Sequence, residues 1–239
     1  MRWAPRGPRG GVLLIGVDAC PGGWVGVALR DGAFDRAVTA ARLADLLAQV
    51  PGVRLVAVDI PIGLLERGWR RADLEARRRL GRQGISVFPT PPRAVVEAPD
   101  YGQAQRRCRA LTGQGLSPLA WRLTPRILDA DRCLGVAGAP ELYEVHPEVS
   151  FQALAGGPLP GKRSWDGQLA RRALLGRHGI VLPEQPGGLG PAGRLARADD
   201  VLDAAVAAWS GTRIAAGTAG CLPDPPELDP HGRAVAIWY

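Results

Sequence analysis

The sequence is almost without lysine. Of its 30 lysine and arginine residues, only Lys162 is a lysine. With 32 glycines and 22 prolines, this skew reads as the codon bias of a GC-rich genome. The formal charge of +7 and the isoelectric point near 10.0 therefore point only modestly toward a polyanionic partner. Histidine is scarce as well, at three residues. The four cysteines, Cys20, Cys108, Cys133 and Cys221, form no Cys-x-x-Cys pair, which argues against a structural zinc site. Scattered cysteines without an export signal predict reduced thiols. No apolar run approaches the roughly 20 residues of a membrane span. The opening MRWAPRGPRGG has none of the apolar stretch of a signal peptide. The expectation is a cytoplasmic protein with no membrane association, opening on a flexible basic arm over residues 1–11. Gly-x-Ser-x-Gly is missing, and the glycine-rich PGGLGPAG lacks the Lys-Ser/Thr of a phosphate loop.

What is present is enough for a sizeable core: 239 residues, 46% of them hydrophobic. Residues 12–239 read as a single domain. The apolar run 12–19, the turn Pro21-Gly22-Gly23 and WVGVALR predict a hairpin, and residues 33–40 supply a third strand. Leu43, Leu46, Leu47 and Val50 recur at helical spacing. RLVAVDI then reads as a strand covered on both faces. A helix between the third and fourth strands permits the fourth to pair in parallel beside the first.

Residues 64–140 break this pattern and read as a largely helical insertion. It holds a basic helix in LERGWRRADLEARRRLGR, a helix capped by Asp100, and another starting at Ser117-Pro118. The core resumes with the strand ELYEVHPEVSF, stopped by Pro147. Helices are expected around Gln168–His178 and from about Ala198 to Ala208. CLPDPPELDPHGR reads as coil and AVAIWY as a last edge strand. The fold class is α/β, a mixed five-stranded sheet with flanking helices.

Five acids stand out against this frame. Asp18 and Asp59 close two apolar strands, Glu144 lies in a third, and Asp200 and Asp203 share a helix face at i and i+3. Such acids need a partner when buried, and a pair of divalent cations would serve. Phosphodiester cleavage needs an activated water and stabilised charge on the attacking and leaving oxygens. Two Mg²⁺ or Mn²⁺ ions about 4 Å apart supply both. Each acid also has a plainer explanation: Asp18 as a turn former, Asp59 as a polar strand end, Glu144 as a solvent-facing edge residue, Asp200 as a helix-start acid. Asp203 resists it, because Ala204, Ala205 and Val206 follow in a core-like helix.

Other candidates divide similarly. His146 either assists a metal or leaving group or is a structural histidine, and Glu148 is a further carboxylate or a solvated one. Arg77 and Arg78, with Arg70, Arg71, Arg79 and Arg82, either grip phosphates or form a solvated helix face; Arg93 joins them as a phosphate candidate. Trp24, Trp69, Trp121 and Trp165 either stack bases or pack.

GVDACPGGWVGVAL, VDIPIGL, SVFPTPPR, YEVHPEVSF and DDVLDAAVAAW occur in order. Together they resemble the domain-of-unknown-function family 429 over about residues 12–215. That family is regarded as a predicted nuclease group with a ribonuclease H-like fold. The wider superfamily includes the Holliday-junction resolvases, which carry an acid on the first strand, one on the fourth and an Asp-x-x-Asp pair on the last helix. Asp18, Asp59, Asp200 and Asp203 match those positions. Glu144 lies outside that minimal pattern, and the 64–140 insertion departs from the compact resolvase plan. The resemblance implies a metal-dependent nuclease, with nucleic acid, DNA or RNA, as partner. Asp18, Asp59 and Asp203 would bind metal, and Asp200 and Glu144 would complete the shells or orient water. A small-molecule phosphoester or nucleotide hydrolase on the same fold, or a non-enzymatic binding protein, are the alternatives.

Overall fold

The computed structural model describes residues 11–239. The basic arm expected over residues 1–11 lies, up to residue 10, outside the described residues. β1 (Leu13–Cys20), β2 (Gly23–Arg30) and β3 (Ala33–Ala40) form an antiparallel meander. After α1 (Leu43–Ala48), β4 (Leu55–Val58) pairs in parallel with β1. Four helices follow: α2 (Arg71–Leu80), α3 (Arg93–Val96), α4 (Tyr101–Thr112) and α5 (Pro118–Asp131). β5 (Glu141–Glu144) then pairs in parallel with β4. The sheet order is β3-β2-β1-β4-β5, the mixed five-stranded sheet that the strand and helix spacing predicts. α6 (Pro147–Ala155), α7 (Trp165–Arg177), α8 (Ala192–Leu195) and α9 (Ala198–Ala215) complete the helices, and α9 runs on beyond the expected Ala208.

Alternation along the strands divides the core in two. Leu14, Val25, Val27, Leu29, Leu55 and Ala57 face α9. Leu13, Ile15, Val17, Val56 and Val58 face the other way, onto Leu43 and Leu46 of α1 and Ile127 of α5. The sheet is thus buried on both faces, as its continuous apolar runs require. α9 lies unusually close to it. A β-carbon at Gly16 would stand 2.1 Å from both the Ala204 carbonyl oxygen and the Ala208 nitrogen. Only glycine on β1, facing alanines on α9, permits that approach.

The helical caps read from sequence are present. Asp100 accepts from the Gln103 N–H at 2.8 Å, and Ser117 from the Ala120 N–H at 3.1 Å. Between β4 and β5, Val95, Ala98, Ala104, Cys108, Leu116 and Ala120 form a small apolar cluster of their own.

One expectation fails. Residues 221–233 read as coil, but β6 (Cys221–Leu228) is a strand paired antiparallel with β7 (Ala234–Trp238). The prolines fit because the register shifts between Leu222 and Glu227, which leaves them outside the ladder. β7 meets the main sheet through a bridge from Trp238 to Val145. Among the described residues no helix is long and apolar enough to cross a membrane, and all four cysteines are free.

Candidate active site

β1 and β4 run in parallel with Val17 opposite Val58. Asp18 and Asp59 therefore follow side by side at the carboxyl ends of adjacent strands, and the Asp59 N–H donates to the Val17 carbonyl at 2.9 Å. Parity fixes their direction. Asp18 lies in phase with Leu14, and Asp59 with Leu55 and Ala57, so both point to the face covered by α9. Asp203 comes down from α9 on that face and is wholly buried. Close packing at Gly16, less than one turn away from Ala204, brings the helix carboxylate to the strand carboxylates.

The cation in this cluster is Lys162. Its ammonium donates to Asp203 Oδ2 at 2.5 Å, and the side chain is 36% exposed against 1% for Asp203. Burial pushes Asp18 well above the usual carboxylate range, and the charges of Asp59 and Asp203 push it further. Asp59 rises to about 7 through burial, opposed by Lys162 and reinforced by Glu148. Asp203 also rises to about 7 through burial, even though Lys162 pulls it down. Burial alone would lower Lys162, but Asp203, Asp18 and Asp59 more than reverse this and raise it. Lys162 thus bonds Asp203 directly and acts on Asp18 and Asp59 through its charge. Asp203 Oδ1 is buried with no hydrogen-bond partner.

Lys162 is the group that sequence reasoning passed over. It sits in the loop between α6 and α7, which is anchored from beneath. Arg171 of α7 donates to the Pro160 carbonyl at 2.7 Å and to both carboxylate oxygens of Glu148 at 2.8 Å. Glu148 is therefore neither solvated nor free; it is a buried partner of Arg171 that adds negative potential beneath Asp59 and Asp203. The one available signal was composition, a single lysine where arginine is otherwise universal.

The other sequence candidates fall elsewhere. Asp200 is half-buried at the start of α9 and accepts from the Arg197 N–H at 3.0 Å; burial raises its carboxyl. It is close enough for its charge to act on Asp18. Glu144 is not in the cluster. It pairs with Val58 on β4, which faces away from α9, and there it takes Arg70 at 2.5 and 2.8 Å and the Ile62 N–H at 2.8 Å. Arg70 also reaches Asp73 at 2.6 Å, so Glu144 belongs to a buried pin between the sheet and α2. Arg93 is committed to Asp131 at 2.8 and 2.9 Å and to Glu97 at 3.0 Å. Arg77 and Arg78 lie exposed on α2.

His146 stands at the start of α6 without a side-chain capping bond, and burial lowers its imidazole to about 4. Trp24 is fully buried and donates to Asp129 at 2.7 Å, and Trp69 and Trp121 pack beside α4. Trp165 alone of the four tryptophan candidates is largely exposed.

Among the described residues no three His, Cys, Asp or Glu side chains stand together in a grouping able to hold a metal ion. Asp18, Asp59 and Asp203 nevertheless bring hard oxygen donors to one edge of the sheet, and Asp203 Oδ1 is buried without a partner, the donor chemistry that a divalent cation takes.

Fold and site together define an α/β protein with a buried carboxylate cluster at the carboxyl edge of two parallel strands, closed by one helix. The chain belongs to the family described as protein of unknown function, DUF429, which it matches over residues 16–228. No curated protein and no solved structure matches it.

Proposed function

We propose that the protein is a metal-dependent nuclease built on a ribonuclease H-like plan. The observation that carries this is the placing of Asp18, Asp59 and Asp203 at one edge of the sheet, within electrostatic reach of the one ammonium that bonds Asp203, whose Oδ1 is unpartnered. The sheet order and the origin of these acids, on the first strand, the fourth and the last helix, support the same reading. So does the general preference of open α/β sheets for sites at the carboxyl edge.

On this reading Asp18, Asp59 and Asp203 would hold Mg²⁺ or Mn²⁺, which would supply an activated water and charge stabilisation at the phosphate. Asp200 braces the first turn of α9 and orients water. Lys162, which bonds Asp203 in the metal-free protein, would be placed to hold a phosphate of the substrate. Arg77 and Arg78 contribute to the long-range attraction of a polyanion. Glu144 and Arg93 have structural roles. The free cysteines fit a reducing compartment, and we place the protein in the cytoplasm.

The test is cleavage of labelled single-stranded DNA, duplex, branched DNA, RNA and RNA–DNA hybrid in Mg²⁺, Mn²⁺ or chelator. We expect metal-dependent cleavage of at least one substrate, reduced at least a hundredfold in Asp18→Asn with the fold intact. Undiminished cleavage by that variant would remove Asp18 from the site. No cleavage of any strand by folded protein would overturn the nuclease assignment and favour a small phosphoester or a binding role.

A further inference from the structure

A groove of about 240 Å³ lies against α9 on the helix face away from Asp200 and Asp203, walled by α7, by the proline- and glycine-rich segment before α8, and by the first turns of α9. Its walls include Trp165, Leu169, Leu182 and Val201. Trp165 is the first residue of α7 and is 77% exposed. Ser164 caps that helix, accepting from the Gly167 N–H at 3.1 Å, so the indole is carried on an ordered turn. An exposed indole at the mouth of an apolar groove has no role in the core.

Three features tie the groove to the cluster. Trp165 follows Lys162 by three residues, so their α-carbons are at most about 11 Å apart. α9 stands between the two sites: Asp200 and Asp203 lie on one face of its first turns, and Ala198, Val201 and Leu202, which line the groove, lie on the opposite face. Arg172 and Arg197 line the groove together with Glu184. Arg163 is largely exposed, 3.9 Å from Asp199, and Arg172 donates to the Leu182 carbonyl at 2.7 Å. The volume is below the roughly 300–1,000 Å³ of pockets that enclose a whole small ligand. It suits one planar ring system with the remainder of the molecule outside.

We propose that this groove is a nucleobase subsite, in which Trp165 stacks on a base of single-stranded nucleic acid that passes round the start of α9, a few nucleotides from the phosphate at the acid cluster. The proposal rests on the nuclease reading and narrows its substrate to an unpaired or locally unpaired strand. Stacking on an aromatic face tolerates any base, and Arg163 and Arg197 neutralise the connecting phosphates.

Binding of labelled single-stranded DNA and RNA decamers is measured by fluorescence anisotropy in the Asp203→Asn background, which holds cleavage off. Trp165→Ala and Trp165→Phe are compared there, and cleavage by the parent protein is followed in parallel with Mn²⁺. Trp165→Ala should weaken single-strand binding about tenfold, Trp165→Phe should retain most of the affinity, and duplex binding should be unchanged. Thermal unfolding verifies that the variants fold. Undiminished single-strand binding by Trp165→Ala overturns the subsite, and so does an absence of single-strand binding in the Asp203→Asn background. In either case, cleavage by the parent protein would leave the nuclease reading standing, whereas its absence would remove both.

Discussion

Asp203 and Glu144 are both buried acids, and their partners separate their roles. Asp203 has one flexible lysine on one oxygen and nothing on the other. Glu144 has a rigid guanidinium fork on both oxygens and a backbone N–H besides. The first arrangement is left incomplete, and the second is saturated. A saturated buried ion pair has no spare oxygen to offer a cation, and breaking it strands a charge. Glu144→Gln is therefore expected to destabilise the protein by about 3 kcal/mol while leaving Mn²⁺ affinity within about twofold. Denaturant unfolding and calorimetry on the same sample check both halves. A variant of undiminished stability that no longer binds Mn²⁺ would return Glu144 to the metal site. Lysine rather than arginine suits the cluster for a related reason: an ammonium is a compact point charge that can change partners, whereas a guanidinium fork locks onto two oxygens at once.

At the level of elements, the site depends on how closely α9 approaches β1. Gly16 and the alanines opposite set that distance, and the helix delivers Asp203 as a consequence of it. Gly16→Ala would drive a methyl group into the α9 backbone. We expect a loss of about 3 kcal/mol and a parallel loss of Mn²⁺ binding. Unfolding and titration measured together would test this; stability lost with metal affinity kept would mean that the helix position does not govern the site.

Strand ends and helix phase made Asp18, Asp59 and Asp203 visible in the sequence, because apolar runs mark strands and an i, i+3 pair marks a helix face. Glu144 was not readable in the same way. The side it faces depends on the register of a four-residue strand against β4, and a slip of one residue reverses the face. Lys162 was hidden for a different reason. It lies in a loop whose position is fixed by a distant pair, Arg171 with Glu148. β6 was misread because prolines exclude a central strand but not a bulged edge pair.

Across the whole molecule, a chain of formal charge +7 holds a set of carboxylates at one edge of its sheet. A net positive charge favours polyanions in general, whereas carboxylates favour cations locally. Arg93, expected to touch phosphate, instead joins α3 to α5 through Asp131, which shows how an arginine-rich composition conceals which cations are free.

On the proposed function, Asp18, Asp59 and Asp203 would form a cation site, with Lys162 bonded to Asp203 in the metal-free protein. Titration of Mn²⁺ into the wild-type protein and Asp203→Asn, followed by calorimetry, tests it most directly. Saturable binding to the wild type, weakened at least tenfold in Asp203→Asn, is the predicted result. Equal affinity in the two proteins, or no binding to folded wild type, would contradict it.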